Sequence, residues 1–279
     1  MSNAQSLESR LLAAKEVAIL VGDLITKEPF DRNQASFKGK SDIVTRMDVL
    51  SEQYIKAYLH ERFPQDDFVG EEMGLESYGN CGRWIIDPID GTSNYIHNIP
   101  GFTISIAYEI EPFSPLIGVV YSPCHKELYY ALKGKGAFCN EERISASHIS
   151  TVREALSIIS PPLRKLYHLP SYLEMMKVIC EETGDTRDFG SAALHFCYLA
   201  SGKADGFFEY GLKYHDVAAG FVLLQEAGGL YCFFEEDADT LFSSNIIATN
   251  RELHLWYTTI IRAIDKRYHE TMDTKQILS

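Results

Sequence analysis

The sequence predicts a mixed α/β fold, made of two closely packed halves with a cleft between them. Apolar runs of strand composition alternate with segments in which apolar residues recur at helical spacing. Consecutive strand-like runs in the first half indicate an antiparallel meander, whereas short strands alternate with helices in the second half. A chain of 279 residues fits one large α/β domain or two smaller ones. We place the division between residues 1–150 and 151–279.

The first half begins with two predicted helices and continues in strands. Helical spacing of apolar residues predicts helices over 7–27 and about 48–63. In the second of these we expect Leu50, Tyr54, Tyr58 and Leu59 to face the core. Residues 37–44, which mix Lys, Gly and Ser, predict a loop or hairpin over a site. Strands are predicted over residues 68–69, 83–86, 103–110, 116–121 and 127–132.

The second half contains the alternating elements. Pro161 is expected to stop its first strand, and Gly228 to close its third helix. Strands are predicted over residues 156–160, 205–210, 230–234 and 246–249. Helices are predicted over residues 171–183, 191–201, 216–227 and 253–268.

An acidic pair lies at each of two predicted strand ends. Glu71 and Glu72 follow one apolar strand, and Asp87 and Asp90 follow the next, which Pro88 is expected to end. Open α/β sheets place ligand sites at the carboxyl ends of their strands, so we expect these carboxylates to lie close together. Crowded carboxylates repel unless a cation lies between them, and oxygen ligands suit a hard dication such as Mg²⁺ best. Taken singly, each pair is equally well explained as a turn or a solvated loop.

A further acidic residue, Asp216, opens the predicted helix 216–227. An Asp in the first turn of a helix is a common cap, and position alone favours that explanation. The small residues Ala218, Ala219 and Gly220 favour a ligand instead, because they let the start of the helix pack tightly against neighbouring backbone.

Composition and charge exclude several classes of function. A formal net charge of −13 argues against a surface for nucleic acid or anionic membrane. No apolar stretch is long enough to span a bilayer, and the N-terminal segment lacks a secretory pattern. The six cysteines contain no Cys-x-x-Cys pair, which predicts a reduced, cytoplasmic protein with mostly buried thiols and argues against a zinc site. We therefore expect a small-molecule partner, with no direct contact to nucleic acid or membrane.

The acidic motifs resemble those of the inositol monophosphatase family, which belongs to the lithium-sensitive, magnesium-dependent sugar phosphatases. The resemblance rests on Gly-Glu-Glu at 70–72, Asp-Pro-Ile-Asp-Gly-Thr-Ser-Asn-Tyr at 87–95, and Asp-Val-Ala-Ala-Gly at 216–220 with Glu-Ala-Gly-Gly at 226–229. These motifs follow in the family's order, and the similarity covers residues 7–264. It implies a layered αβαβα sandwich of the inositol monophosphatase and fructose-1,6-bisphosphatase type, usually a homodimer, with the site between the two halves.

The resemblance also implies roles for individual residues, with two or three Mg²⁺ ions in each site. Thr92, together with Asp48, would polarise the attacking water, and Glu72 would help to position a third, weaker ion through water. Without the resemblance, Asp48 is predicted to be a helix cap. Lys38 or Lys40 would approach the metals, although each is better explained as a solvated lysine. The implied metal ligands are Glu71, Asp87, the backbone carbonyl of Ile89, Asp90 and Asp216.

The resemblance places the substrate against two helix starts, where backbone amides attract anions and hydroxyl groups. Glu209 would accept hydrogen bonds from a polyol, but an exposed Glu at a strand end explains it equally well. Arg187 would close the pocket, either of its own subunit or of a partner subunit, or form a surface ion pair. The implied substrate-binding residues are Gly91, Thr92, Gly190, Ser191, Ala192 and Glu209.

The expected function is magnesium-dependent hydrolysis of a small sugar or polyol phosphate, above all inositol-1-phosphate, by attack of a metal-activated water. The alternatives are a 3'(2'),5'-bisphosphate nucleotidase, a fructose-1,6-bisphosphatase and, from another class, a catalytically silent regulatory binding protein. Two positions depart from the family pattern. His215 replaces the usual Trp, as a packing exchange or as a titrating group near the metals. Ser160-Pro161-Pro162 replaces a Thr-Gly-Phe-Pro segment near the substrate.

Overall fold

The computed structural model describes the backbone of residues 3–27, 35–39, 42–79, 81–235 and 242–277, and the side chains of residues 7–27, 45–79, 81–235 and 242–269. The side chain of Lys38 and all of Lys40 lie outside these ranges. The helices are α1 (Asn3–Lys27), α2 (Arg46–Arg62), α3 (Thr92–Ile96), α4 (Leu169–Glu182), α5 (Ala192–Ala200), α6 (Tyr214–Glu226) and α7 (His254–Ile277).

The strands form a two-stranded hairpin and two larger sheets. The strands are β1 (Ala35–Gly39), β2 (Asp42–Thr45), β3 (Asp67–Gly70), β4 (Gly74–Glu76), β5 (Arg83–Asp90), β6 (Thr103–Glu109), β7 (Pro115–Ser122), β8 (Glu127–Leu132), β9 (Gly136–Cys139), β10 (Glu142–Ile144), β11 (Leu156–Ile159), β12 (Asp185–Arg187), β13 (Gly206–Glu209), β14 (Leu230–Phe233) and β15 (Ile246–Thr249). The first large sheet has the order β10-β9-β8-β7-β6-β5-β3-β4, and the second has the order β12-β11-β13-β15-β14. The predicted antiparallel meander is confirmed, because β6, β7, β8 and β9 pair antiparallel in succession.

The first sheet is buried on both faces, which explains its continuous apolar runs. Side chains alternate across a strand, so Trp84 and Ile86 of β5 pack with α1 and α2, whereas Ile85 packs with α5 and α6 on the other face. Close packing of α6 on this sheet depends on Gly118 of β7, since a Cβ there would lie 2.3 Å from the carbonyl oxygen of Ala219.

The second sheet is covered in the same way. Phe207 of β13 packs with α5 and α6, and Phe208 packs with α4 and α7 on the opposite face. The layers therefore run α1 and α2, first sheet, α5 and α6, second sheet, α4 and α7. This order confirms the predicted αβαβα sandwich.

The strand that carries the Asp-Pro-Ile-Asp motif is longer than expected. The prediction that Pro88 ends it is wrong, because β5 continues to Asp90 beside β6 with a shift of register between Asp87 and Asp90. A proline fits within a strand where the ladder is interrupted in this way. β3 pairs parallel with β5, and Gly70 lies opposite Ile86. The carboxyl ends of these two strands are therefore neighbours, as the sequence predicts.

The inward face of α2 also differs from the prediction. Leu59 is buried as expected and Tyr58 packs, partly buried, against the core. Leu50 and Tyr54, however, are 38% and 45% exposed. The buried face instead carries Asp48 and Glu52, four residues apart, with Ile55 following. Helical periodicity alone identifies a face only if apolar residues fill it, whereas here two carboxylates take the inward positions.

The cysteines are less buried than expected. All six thiols are free, and only Cys197 is buried, whereas Cys81, Cys124 and Cys180 are exposed. The prediction of mostly buried thiols is wrong, because residue type alone does not determine burial at a helix or loop surface. No helix in the described part of the chain combines the length and the apolar content needed to cross a membrane.

Candidate active site

A cavity of about 500 Å³ opens between the two large sheets and contains most of the predicted site. One wall is formed by the ends of β3 and β5 and the start of α6, and the other by the start of α5, the end of β13 and residues 160–164. The predicted site residues that line it are Glu71, Asp87, Ile89, Asp90, Gly91, Thr92, Gly190, Ser191, Ala192, Glu209 and Asp216.

The acidic residues of the first wall converge in two overlapping groups. One ligand atom from each of Asp87, Asp90 and Asp216 lies within 4.8 Å of the others. Asp87 also belongs to a second group with Glu71 and His215, again within 4.8 Å. Asp216 lies more than a hundred residues from the other carboxylates, and the start of α6 brings it to the end of β5.

Each of three site carboxylates is held by the protein through one oxygen. Oδ1 of Asp87 accepts the amide of Ile89 at 3.1 Å. Oδ2 of Asp90 accepts the hydroxyl of Ser191 at 2.7 Å and the amide of Ala193 at 2.6 Å. A carboxylate held in this way keeps a fixed orientation and retains a second oxygen for a ligand.

Asp216 is held likewise. Its Oδ2 accepts the backbone amide of Lys213 at 2.6 Å, at the start of α6. The cap and the ligand were alternative explanations for this residue. They are compatible in the structure, because the cap uses one oxygen while the side chain belongs to the acidic group.

The crowded carboxylates resist ionisation. Burial, followed by the charges of Glu71 and Asp90, raises the pKa of Asp87 well above its usual range. Burial and the neighbouring Asp216 raise the pKa of Asp90 to about 7. Like charges in a buried site must be protonated or balanced by a cation. The donors here are mainly carboxylate oxygens, and such a set fits hard dications.

The pKa of Glu71 shifts in the opposite direction, because the ammonium group of Lys213 and the imidazole of His215 lie beside it. Nζ of Lys213 lies 3.3 Å from Oε1 of Glu71, and Nε2 of His215 lies 3.8 Å from the same oxygen. Burial alone would raise the pKa of Glu71, but His215 and Lys213 outweigh it and lower the pKa to about 2. The negative charge of Glu71 is therefore present at any physiological pH.

Asp48 and Thr92 meet at the edge of this wall. Oδ2 of Asp48 accepts the amide of Thr45 at 2.8 Å and its hydroxyl at 2.5 Å, which completes a capping box at the start of α2. Its other oxygen lies 3.4 Å from Oγ1 of Thr92, which also donates to the carbonyl of Ile89 at 3.0 Å. Asp48 is thus the N3 partner of the N-cap residue Thr45 and a neighbour of Thr92 at once. Burial raises its pKa to about 6.

Glu72 is placed less favourably than the sequence predicts. Glu72 is not among the described residues that line the cavity. Its backbone amide, with that of Met73, donates to the buried carboxylate of Glu52 at 2.8 and 2.9 Å. Glu52 was not predicted and shapes the turn that presents Glu71. Its spacing of four residues from Asp48 was the available signal.

The second wall approaches the first through two glycines. Gly91 has φ +89° and Gly190 has φ +74°, and a Cβ on Gly91 would lie 2.9 Å from the carbonyl oxygen of Gly190. The amide of Asn94 donates to the carbonyl of Phe189 at 2.6 Å and thereby ties the two walls together. The two walls are therefore in direct contact at Gly91 and Asn94.

Further along the second wall lie groups that sequence analysis missed. Oδ1 of Asp188 accepts the amide of Gly190 at 2.9 Å and the hydroxyl of Ser160 at 3.2 Å. Arg164 lines the cavity with Glu209, whose pKa is raised well above its usual range by burial and by Asp188. The resemblance pointed to this region through residues 190–192 and Glu209, and the departure at residues 160–162 lies in it as well, but neither singled out Asp188 or Arg164. Arg187 lies outside the lining and forms an ion pair with Asp185 at 2.8 Å.

Known proteins match the chain over almost its whole length. The fructose-1,6-bisphosphatase/inositol-1-monophosphatase of Aquifex aeolicus is 36% identical over 269 residues, or 95% of this chain and 98% of that protein. The Nus factor SuhB of Haemophilus influenzae is 38% identical over 230 residues, or 81% of this chain and 86% of that protein.

Solved structures and the family profile agree with these relatives. The extragenic suppressor protein suhB from Bartonella henselae superposes with a TM-score of 0.85 at 31% identity, covering 91% of this chain and 98% of that one. The profile of the inositol monophosphatase family matches residues 6–267. This chain therefore belongs to the inositol monophosphatase family, a family of phosphatases.

Proposed function

We propose that the protein is a magnesium-dependent phosphomonoester hydrolase for a small sugar or polyol phosphate, with inositol-1-phosphate as the first substrate to test. The observation that carries the proposal is the convergence of Asp87, Asp90 and Asp216 within 4.8 Å on the wall of a cavity of about 500 Å³. Membership of a phosphatase family supports it, and the cavity volume suits a sugar-sized ligand.

The carboxylates provide the positions for metal. Glu71, Asp87 and the carbonyl of Ile89 would hold one Mg²⁺, and Asp87, Asp90 and Asp216 a second. When bound, the ions would neutralise the phosphate charge, lower the pKa of a bound water and stabilise the leaving alkoxide. Glu72 is absent from the cavity lining among the described residues, so it would act on a third ion only through water.

Thr92 and Asp48 would orient the attacking water. If the hydroxyl of Thr92 donates to Asp48 rather than to Ile89, the carbonyl of Ile89 becomes available as a ligand, and a lone pair of Oγ1 can accept a hydrogen bond from the water. The pKa of Asp48, about 6, allows this carboxylate to accept a proton near neutral pH.

The substrate would extend from the first wall to the second. The amides of Gly91 and Thr92 would bind phosphate oxygens. The backbone at residues 190–192 and the carboxylate of Glu209 would bind the hydroxyl groups of the sugar. The hydroxyl of Ser191 is already engaged with Asp90, so we assign it to positioning Asp90 and reserve the backbone of this segment for substrate.

Hydrolysis of fructose-1,6-bisphosphate is the second candidate, because one residue of the cavity favours it. Arg164 lines the second wall and offers a guanidinium that suits a second phosphate group. The relative from Aquifex aeolicus carries both activities in its name. A substitution such as Arg164→Gln would lower turnover of the bisphosphate more than that of inositol-1-phosphate if this candidate is right.

Phosphate release from a substrate panel tests the proposal. Purified protein is assayed with inositol-1-phosphate, fructose-1,6-bisphosphate and adenosine 3',5'-bisphosphate, each with Mg²⁺ and again with EDTA. We expect magnesium-dependent release from at least one sugar phosphate. Release from the nucleotide alone would favour a nucleotidase. No release from any compound would favour a regulatory binding protein, a role that the relatives named Nus factor SuhB make worth testing.

We further propose that residues 1–150 form the half that carries most metal ligands, and residues 151–279 the half that carries Asp216 and the sugar pocket. All strands of the first large sheet lie before residue 150 and all strands of the second lie after it, which supports this division. We also propose a homodimer, as usual in the family. Light scattering coupled to size-exclusion chromatography tests it, and a monomer mass at micromolar concentration contradicts it.

A further inference from the structure

One nitrogen atom beside the acidic groups has no hydrogen-bonding partner. The side chain of His215 is only 11% exposed, and its Nε2 atom is buried without a hydrogen bond. The nearest carboxylate oxygens are Oδ1 of Asp216 at 3.5 Å and Oε1 of Glu71 at 3.8 Å. Both distances exceed those of a hydrogen bond to an imidazole nitrogen. A buried polar atom without a partner is costly and requires an explanation.

The distances from Nε2 of His215 to the two carboxylate oxygens are close to the distance between two ligands of one metal ion. Bonds of about 2.1 Å to nitrogen and oxygen place adjacent ligand atoms about 3.0 Å apart in an octahedral site and about 3.4 Å apart in a tetrahedral one. The 3.5 and 3.8 Å separations at His215 are slightly longer, so a small contraction around an ion would satisfy them. A third donor is present, because Asp87 joins Glu71 and His215 in a group whose ligand atoms lie within 4.8 Å.

We propose that His215 is a nitrogen ligand of the active site, and that its position with Glu71 and Asp87 binds Mn²⁺, Fe²⁺, Co²⁺ or Zn²⁺ in preference to Mg²⁺. Imidazole suits these dications, whereas a set of oxygens alone suits Mg²⁺. The neighbouring group of Asp87, Asp90 and Asp216 contains only oxygens and remains suited to Mg²⁺. The inference rests on the proposed function only in that the cluster binds dications.

The ammonium group of Lys213 would compete with a bound ion for the carboxylate of Glu71. Its Nζ lies 3.3 Å from Oε1 of Glu71, and its side chain is 41% exposed. The ammonium group can therefore swing toward solvent when an ion binds, and Glu71 also has a second oxygen. His215 is less free to leave, because its ring is buried at the start of α6.

Pulsed electron paramagnetic resonance of the Mn²⁺-loaded protein tests the proposal directly. An imidazole nitrogen bound to Mn²⁺ modulates the electron spin echo, and its signature changes when histidine is labelled with ¹⁵N. We expect a ¹⁴N modulation in the wild-type protein that shifts with [¹⁵N]histidine. Bound Mn²⁺ without such a modulation would overturn the inference, and this measurement requires no variant.

The same substitution, His to Gln, at two histidines identifies which of them supplies the nitrogen ligand. His215→Gln exchanges a nitrogen donor for an amide oxygen, and His148→Gln is the control at a histidine whose side chain is 85% exposed. We expect His215→Gln to abolish the modulation and to lower the preference for Mn²⁺ over Mg²⁺, measured by calorimetry, by at least about 10-fold. His148→Gln should change neither. A modulation that survives in His215→Gln would contradict the assignment.

The phosphate-release assay on the same preparations separates this inference from the proposed function. Magnesium-dependent hydrolysis with no Mn²⁺ nitrogen signal rejects the role of His215 and leaves the hydrolase intact. A nitrogen signal in a protein that hydrolyses no ester rejects the hydrolase and retains the metal site. Absence of any bound dication rejects both.

Discussion

Two carboxylates face the same cavity, and their pKa values shift in opposite directions. Asp90 on the first wall has a pKa raised to about 7, by burial and then by the charge of Asp216. For Asp188 on the second wall, burial would also raise the pKa, but the imidazole of His195 and the amide of Gly190 lower it instead. Both side chains accept two hydrogen bonds. Asp188 has in addition the imidazole of His195, 3.5 Å from its Oδ1, whereas the groups that raise the pKa of Asp90 are neighbouring carboxylates.

The difference indicates which of these two carboxylates needs a cation and which is satisfied within the chain. A group of like charges is unfavourable in the protein alone and becomes favourable only with a cation. Asp188 already has its partners within the chain and therefore contributes to the folded state without a ligand. Substitutions on the two walls should consequently separate activity from stability.

The largest effect is expected for Asp90→Asn. The amide oxygen of the variant can still accept from Ser191 and Ala193, but the variant lacks the negative charge that would bind a metal ion. We expect phosphate release to fall at least about 100-fold, because charge stabilisation by metal contributes several kcal/mol. The melting temperature without metal should stay the same or rise. Asp23→Asn on the exposed face of α1 is the control. Ordinary activity in Asp90→Asn would show that Asp90 is not a metal ligand.

Magnesium should raise the melting temperature of the protein, and this shift should depend on the carboxylates of the first wall but not on Asp188. A ligand that binds only the folded state raises stability by about 2.7 kcal/mol at one hundred times its dissociation constant. We expect millimolar Mg²⁺ to raise the melting temperature of the wild-type protein and of Asp188→Ala by several degrees. Asp216→Asn should reduce the shift. A wild-type protein that shows no shift with Mg²⁺, Mn²⁺ or Ca²⁺ would exclude a metal cluster.

On the second wall, Asp188→Ala should reduce stability more than catalysis. It removes the acceptor for Gly190 and Ser160, and a lost hydrogen bond costs about 1 kcal/mol. The side chain is 39% exposed, so water can replace part of this loss. We expect a fall of roughly 2–4 °C in melting temperature, with KM raised more than kcat is lowered. Loss of all activity with unchanged stability would reverse the comparison between the two walls.

The smallest expected effect is the pH dependence of the stability gained by Asp90→Asn. The pKa of Asp90 is raised from 3.8 to about 7 in the folded state, so this group binds more protons when folded. Its contribution to stability is full below about pH 4 and is lost as the pH rises through 7. Without metal, Asp90→Asn should therefore gain a few degrees over the wild-type protein at pH 8 and clearly less at pH 4.5. Thermal melts in EDTA measure this difference. A gain that is equal at both pH values would show that Asp90 is not perturbed.

Much of the fold could be predicted because its signals are local. Apolar alternation and helical spacing located most strands and helices, and the parallel neighbours β3 and β5 followed from two apolar runs that both end in acidic residues. The prediction failed where contacts in the folded protein outweighed a local sequence signal. Pro88 lies inside β5 because a shift of register accommodates it, and Leu50 lies outside the core because carboxylates occupy the inner face of α2.

The same limit applies to the site. Motifs in the sequence identified Glu71, Asp87, Asp90 and Asp216 as candidates, since acidic residues at strand ends are visible in one dimension. Glu52, Asp188 and Arg164 were missed, because each acquires its place through contacts with distant segments. Glu52 shapes the turn at Glu71 only once α2 packs beside β3.

The amino-acid sequence by itself located the main helices and most of the longer strands, named the acidic candidates and identified the family to which the chain belongs. Only the tertiary structure decided which oxygen of Asp90 and Asp216 is held by a backbone amide, and that His215 would meet Glu71 with an unpaired nitrogen. The physical reason is that hydrogen bonds and charge interactions act over a few ångströms in space. Residues separated by more than a hundred positions become neighbours only when the two sheets and the helices between them have packed.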